Sequence, residues 1–510
     1  MSVEQFRKHI NEGYTYKGDF IVLGGAILNG EPVSEALIKI PLKSLNRHGL
    51  IAGATGTGKT KTLQVIAEQL SEKGIPSLLM DLKGDLSGLA KEGSNNKHIE
   101  WRHGAIGIPY EAESMPVELM TISNGKGVRL KATVSEFGPV LMSKILDLNS
   151  TQSGILSIMF KYCDDNDLPL LNLEDLKKLL KYSKEEGKEK FKEEYGSMSS
   201  MSIGTILRKV IELESQGADN FFGELSFEID DLLQTDRNGN GLINIIRLTD
   251  IQDRPKLFST FMLSLLAEVY HELPEQGDTD KPKLCIFIDE AHLVFDNASK
   301  ALLEQIEAIV KLIRSKGVGI YFITQNPTDV PDAVLSQLGL KVQHALRAFT
   351  AKDRKAIKKT AENYPDTDYY ETDKVLTSLG IGEALVTCLN EKGIPTPLAA
   401  TLLRAPKTRM DILTPKEIKE VVSYSRLVDK YNKEIDSESA YELLNKRIAK
   451  ARSVQEKQNI KESKAPIKKR GRAKKEVSFI EKASKNTMVR QLGRTVLREL
   501  TRSLFGKWGR

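Results

Sequence analysis

The 510-residue chain has few cysteines and tryptophans, three and two, and only 6% of it is aromatic. Cys163, Cys285 and Cys388 stand far apart, which fits neither a disulfide framework nor a zinc site and suits a reducing cytoplasm. No uninterrupted apolar run approaches the length of a membrane-spanning helix. Residues 1–20 place Glu4, Arg7, Lys8 and Glu12 where a secretory signal would be apolar, so a cytoplasmic location is expected. No internal repeat is visible. The composition is otherwise that of a globular protein, 40% hydrophobic and 28% charged, and longer than one typical domain. Its net charge of +6 is uneven, because residues 461–510 alone carry +12 and leave −6 for the remainder. A uniformly basic nucleic-acid surface on the globular part is thereby disfavoured.

The strongest local signal is Gly53-Ala-Thr55-Gly56-Thr57-Gly58-Lys59-Thr60. Gly49 to Gly53 reads as a short buried strand, and Leu63, Ile66, Ala67 and Leu70 follow at helical spacing, so a glycine-rich loop joins strand to helix. Such a loop turns its N–H groups toward a triphosphate, Lys59 adds a positive charge and the Thr60 hydroxyl can ligate Mg²⁺. The expected ATP contacts are Gly53, Thr55, Gly56, Thr57, Gly58, Lys59, Thr60 and Lys61.

A second strand, Leu284 to Ile288, ends in the acid pair Asp289-Glu290. At a strand's carboxyl end Asp289 can reach the Mg²⁺ shell and Glu290 can take a proton from an attacking water, which favours hydrolysis over binding alone. Leu302, Ile306, Ile309, Val310 and Ile313 mark a helix ending in Arg314, and the next strand closes at Thr324-Gln325. Gln325 can orient the lytic water or sense the γ-phosphate; the alternative is a buried, satisfied amide. Arg314 can stabilise phosphoryl charge, chiefly on a neighbouring subunit, or it is a helix-terminal surface charge. Arg347 and Arg354 are other candidates for that role. One decoy is set aside: Asp236 to Gly241 imitates a calcium loop, but Arg247 stands where a bidentate Glu is required.

The phosphate loop, Asp289-Glu290-Ala-His292, Arg314-Ser-Lys-Gly317 and Ile323-Thr-Gln325-Asn-Pro327 resemble, in order and spacing, the HerA-like and FtsK-like branch of RecA-type ATPases. Asn46 to Leu50, Gln337 to Arg347 and Gly382 to Leu385 look like the bacterial YjgR-type group within it, and the likeness runs from about residue 16 to the end of the chain. The resemblance implies a ring, usually a hexamer. It also implies ATP hydrolysis with Lys59, Asp289, Glu290, Gln325 and an arginine supplied in trans. Nucleic-acid pumps of this branch usually carry a larger N-terminal β-barrel, for which residues 1–45 are too few. A superfamily 2 helicase needs a second core, and none is evident after residue 400. His292 reads as structural.

The implied fold is α/β: a RecA-like P-loop NTPase core with a mainly parallel sheet, an inserted all-helical subdomain and a helical, basic C-terminal tail. The expected division is a small β cap at 1–45, core at 46–137, helical insertion at 138–218, core at 219–404, and an extension at 405–510. The 181–194 charge run reads as a solvated helix face, the stretch from Gly84 to about residue 135 as turn-rich, and Ala384 to Cys388 with Thr396 to Ala400 as a hairpin on the sheet's edge, where Pro397 is acceptable. Lys464 to Lys475 reads as a basic linker. Val489, Leu492, Val496, Leu500 and Leu504 form an apolar stripe beside Arg490, Arg494, Arg498 and Arg502. This amphipathic helix can dock on another subunit, contact nucleic-acid phosphates or lie on an anionic membrane, the first being the default. The two functional expectations are a DNA-processing motor and an ATP-driven assembly protein acting on a protein partner or membrane surface.

Overall fold

A computed structural model describes residues 2–463, apart from 278, 297–299 and 436. The basic linker and amphipathic helix expected beyond residue 463 lie outside the described residues. The described residues divide into two compact units, one of residues up to 131 with 226–434, the other of 132–225 with 435–463.

The first unit is built on one sheet of twelve strands among the described residues. In chain order these are β1 (Phe20–Leu28), β2 (Glu31–Pro41), β3 (Gly49–Ala52), β4 (Ser77–Asp81), β5 (Val117–Thr121) and β6 (Val128–Arg129). They are followed by β7 (Ile243–Arg247), β8 (Leu284–Ile288), β9 (Val318–Thr324), β10 (Leu340–His344), β11 (Glu383–Thr387) and β12 (Ala399–Leu403). Across the sheet the order is β2-β1-β12-β11-β10-β3-β9-β8-β4-β7-β5-β6. From β10 to β6 every neighbouring pair is parallel. From β10 back to β2 every pair is antiparallel.

Parallel strands are covered on both faces, and the residues show it. All of β8 and β9 is buried. The helix Lys59–Glu72 buries Leu63, Ile66, Ala67 and Leu70 in a cluster with Ile51, Leu79, Phe287, Tyr321 and Val342. Phe287 stacks on Tyr321 with ring centroids 4.7 Å apart. Ile306, Ile309, Val310 and Ile313 of the helix Lys300–Ile313 are buried too, as their spacing predicts. The three cysteines are buried and form no disulfide.

Three features differ from the sequence expectation. The strands at residues 20–41 are not a separate cap: β1 pairs with β12, so they prolong the main sheet. The hairpin β11–β12 lies inside the sheet rather than at its edge, since β11 pairs with β10 and β12 with β1. Pro397 is tolerated because it precedes Ala399, where β12 begins, and so removes no ladder donor. The stretch expected as turns up to about residue 135 contains β5 and β6, and β5 is held by its register with β7. At the calcium-loop decoy, Asp236 Oδ1 accepts from the Asn238 and Asn240 amides at 2.8 and 2.9 Å, a side-chain-locked turn.

The second unit is helical. Its helices are Val134–Ile145, Ser150–Asp165, Leu173–Lys184, Lys188–Tyr195, Ser200–Ser215 and Ala440–Ser463. Three open with capping boxes, at Thr133 and Glu136, Asn149 and Gln152, and Asn172 and Asp175. Asp175 is fully buried and also accepts from the Tyr441 amide at 2.8 Å, which ties the start of the last helix to the third. In the 181–194 charge run Phe191 is buried, while Lys181, Lys184, Glu185, Glu186, Lys188 and Glu189 are exposed.

Candidate active site

Because β3, β9, β8 and β4 are parallel neighbours, the segments after them emerge on one edge of the sheet. Adjacent strands lie about 4.8 Å apart, so this topology alone gathers the phosphate loop, Gln325, Asp289-Glu290 and the Asp81–Asp85 turn along one rim.

The loop after β3 requires its glycines. Gly53 has φ 152°, and a Cβ there would lie 2.4 Å from the Cβ of His344. Gly56 and Gly58 have φ 79° and 113°, in the left-handed region that side chains avoid. Gly58 caps the helix Lys59–Glu72 without any side-chain hydrogen bond, so the helix start presents backbone N–H groups to an anion. Lys59 Nζ donates to the Gly53 and Ala54 carbonyls at 2.7 and 3.2 Å. Burial lowers its pKa, and Glu290 and Asp289 oppose that shift. Thr57 Oγ1 donates to the Ala54 carbonyl at 2.7 Å, and Thr55 is exposed on the loop. Lys61 instead donates to the Met410 carbonyl. His344 backs the loop, with Nε2 2.8 Å from Thr62 Oγ1.

Opposite the loop stand the acids. Asp289 and Glu290 are each only 5% exposed. Burial, then the charges of Glu290 and Asp85, push the Asp289 carboxyl up to about 7. Glu290 has φ 49°, a left-handed backbone unusual for a side-chain-bearing residue, and its amide donates to Asp289 Oδ1 at 2.9 Å. Its Oε1 forms an ion pair with Lys83, and its Oε2 lies 3.3 Å from His292 Nδ1. Asp81, at the end of β4, accepts from the Gly84, Asp85 and Leu86 amides and so shapes the turn carrying Lys83 and Asp85. Thr60 Oγ1 donates to Asp85 Oδ2 at 3.2 Å, and Asp85 Oδ1 is buried without a hydrogen-bond partner.

This donor set fits Mg²⁺. Thr60, Asp289 and Asp85 supply hard oxygens, and the unpartnered Asp85 oxygen is a place for a cation's water. Among the described residues no group of three His, Cys, Asp or Glu side chains could hold a metal. A cation here takes its remaining ligands from phosphate and water, as Mg²⁺ does in phosphate sites.

Gln325 is exposed immediately after β9, which removes the buried-amide alternative. Arg314 is not brought to the rim. It is exposed just before β9 begins, and its charge acts on His48, the residue preceding β3, so it lies at the opposite edge. Arg347 and Arg354 are exposed, and Arg347 follows β10 on the side of the phosphate loop.

Comparison with known proteins agrees with this architecture. The family model described as "Helicase HerA-like C-terminal" matches residues 27–510. The chain belongs to the HerA-like family. Its relatives include a DNA double-strand break repair helicase HerA of Sulfurisphaera tokodaii, 22% identical over 69% of this chain and 64% of the relative. Another is a DNA import protein, CedB, of Sulfolobus acidocaldarius, 24% identical over 74% of this chain and 56% of the relative. The HerA-like chain thus spans less than two thirds of the length of either. The bacterial conjugative coupling protein TrwB shares its fold with a TM-score of 0.51 at 14% identity, over 81% of this chain and 95% of that one. VirB4 of Thermoanaerobacter pseudethanolicus gives 0.50 at 15%, over 80% and 100%. The fold is therefore the RecA-like P-loop ATPase fold expected from the motifs.

Sequence reasoning about this HerA-like chain missed Lys83 and Asp85. The signal was present as Asp81-Leu-Lys83-Gly-Asp85, alternating charges directly after the strand that neighbours β8. Their partners are more than 200 residues away for Lys83, but only 25 for Asp85 and Thr60.

Proposed function

We propose that the protein is a Mg²⁺-dependent ATPase that works as a ring, of six copies by the resemblance, and acts in DNA processing or translocation. The observation that carries this reading is the convergence of Lys59, Thr60, Asp289, Glu290 and Gln325 along one rim of a parallel sheet. In it, the loop amides and Lys59 bind the phosphates of ATP, and Thr60 and Asp289 hold the cation that neutralises them. Glu290 takes the proton of the attacking water, Gln325 orients that water, and an arginine of the neighbouring copy, Arg314 first, offsets the charge that develops. The role in DNA is supported by the relatives, named for DNA repair and DNA import. Those proteins are longer than their shared region, so their substrates come to this chain as part of the proposal.

The deciding experiment measures ATP turnover against oligomeric state, with and without duplex DNA, over a range of salt. DNA-stimulated turnover in the ring fraction, weakening steeply with salt, is the expected result. Turnover indifferent to DNA, with binding to anionic vesicles or a protein partner, would instead establish the assembly reading. Among the described residues no helix is long and apolar enough to cross a membrane.

A further inference from the structure

Glu290 is the group proposed to activate water, yet its carboxylate is engaged by another side chain. Lys83 Nζ forms an ion pair with Glu290 Oε1, and the two side chains are 45% and 7% exposed respectively. A buried base is thus held by a cation whose own side chain reaches solvent. The turn beneath Lys83 is fixed, because the Asp81 carboxylate accepts from the three amides that follow Lys83, and Gly84 takes φ 80°. Lys83 therefore moves chiefly about its own methylenes. It also lies within electrostatic reach of Lys59: each ammonium faces Glu290 and Asp289, and the charge of Lys83 is felt at Lys59. Lys59 is the phosphate-loop lysine, so the space between the two cations is where the outer phosphates of a bound triphosphate would lie.

Resting on the ATPase reading above, we propose that Lys83 is a positioning residue that reads the γ-phosphate: it holds Glu290 in the resting site and transfers to the γ-phosphate of bound ATP, freeing Glu290 to act. A triphosphate offers Lys83 more negative charge than one carboxylate does, and a compact ammonium on a flexible stem is suited to exchange partners. ADP lacks the group that draws Lys83 away, so Glu290 stays held in the product state. With Lys83 on the γ-phosphate, a water oxygen attacks phosphorus while its proton passes to the Glu290 carboxylate. The bond to the bridging oxygen breaks with its electron pair remaining on ADP, and inorganic phosphate leaves.

The test compares wild type with Lys83→Met, Lys83→Gln and Lys83→Arg. ADP and a non-hydrolysable ATP analogue are titrated against each, and kcat and KM are measured for ATP. In Lys83→Met, ADP affinity is expected to stay within about twofold and analogue affinity to fall about tenfold, while kcat falls on the order of 100-fold, as when one charge-stabilising donor is lost. Lys83→Arg, which keeps the charge, recovers part of the kcat loss. ADP affinity doubles as the control for folding. Were Lys83→Met to lose it, Lys83→Gln, with a polar side chain of near length, is read in the same way. Equal weakening of ADP and analogue in both neutral variants, kcat within threefold of wild type, or a raised kcat would each overturn the transfer. Absence of hydrolysis by wild type itself would overturn the ATPase reading instead, so the two failures are distinguishable.

Discussion

At the scale of single residues, the glycine-rich loop was legible because its signal is local: three glycines, a lysine and a threonine stand within eight positions, and Gly53, Gly56 and Gly58 take the positive φ that the motif calls for. The acid pair was legible for the same reason, standing at the end of an apolar strand. What could not be read was partnership across distance, such as Lys83 on Glu290 or Asp85 on Thr60. The two acts of binding and hydrolysis separate at this scale. Lys59→Ala removes the cation proposed to meet the phosphates and is expected to abolish tight ATP binding. Glu290→Gln keeps shape and removes the proposed proton acceptor, so ATP should bind with near wild-type affinity and remain unhydrolysed, turnover falling on the order of 100-fold or more. Filter binding of labelled ATP beside phosphate release checks both, and undiminished turnover in Glu290→Gln would remove it as the base.

At the scale of elements, helical stripes announced themselves, whereas strand neighbours did not. Leu63, Ile66, Ala67 and Leu70 predicted their burial from spacing alone, but β5 contains Glu118 amid a glycine- and serine-rich stretch and is a strand because β7 offers it a register. Pro397 misled for a similar reason: it was read as part of a strand, and the strand starts two residues later. His48 shows how elements are tied together. Its Nε2 lies 2.8 Å from the Val310 carbonyl of the helix Lys300–Ile313, and its Nδ1 accepts from the Ile320 amide of β9 at 3.0 Å. Both bonds together require the neutral ring with its proton on Nε2. Burial, the largest influence, pushes its pKa down to about 4. The unfolded chain binds this proton near pH 6.5 and the folded chain does not, so the contribution is complete above pH 6.5 and is lost as pH falls toward 4. Across that window wild type should lose about 3 kcal/mol relative to His48→Asn, a linkage figure for one such proton. Denaturant titrations at several pH values check it, and parallel pH profiles for the two proteins would remove His48 as the source.

At the scale of the whole molecule, the position of Arg314 carries the argument. It is exposed at the edge of the sheet away from the rim that holds Glu290, so any service to phosphoryl chemistry must be to another copy. A ring provides this, because a head-to-tail interface sets one surface of a subunit against a different surface of the next. The consequence is quantitative. In a mixture of Arg314→Ala and Glu290→Gln subunits, a site works only where the first kind supplies Glu290 and the following copy, of the second kind, supplies Arg314. Random assembly at equal amounts gives that order at roughly one interface in four of a closed head-to-tail ring, so turnover should recover toward about a quarter of wild type while each variant alone is inactive. Mixing must precede assembly, and the rate should follow the product of the two fractions as their ratio is varied. Full activity of Arg314→Ala alone would pass the role to Arg347 or Arg354. An inactive Arg314→Ala with no recovery at any ratio would place the effect of Arg314 within its own subunit.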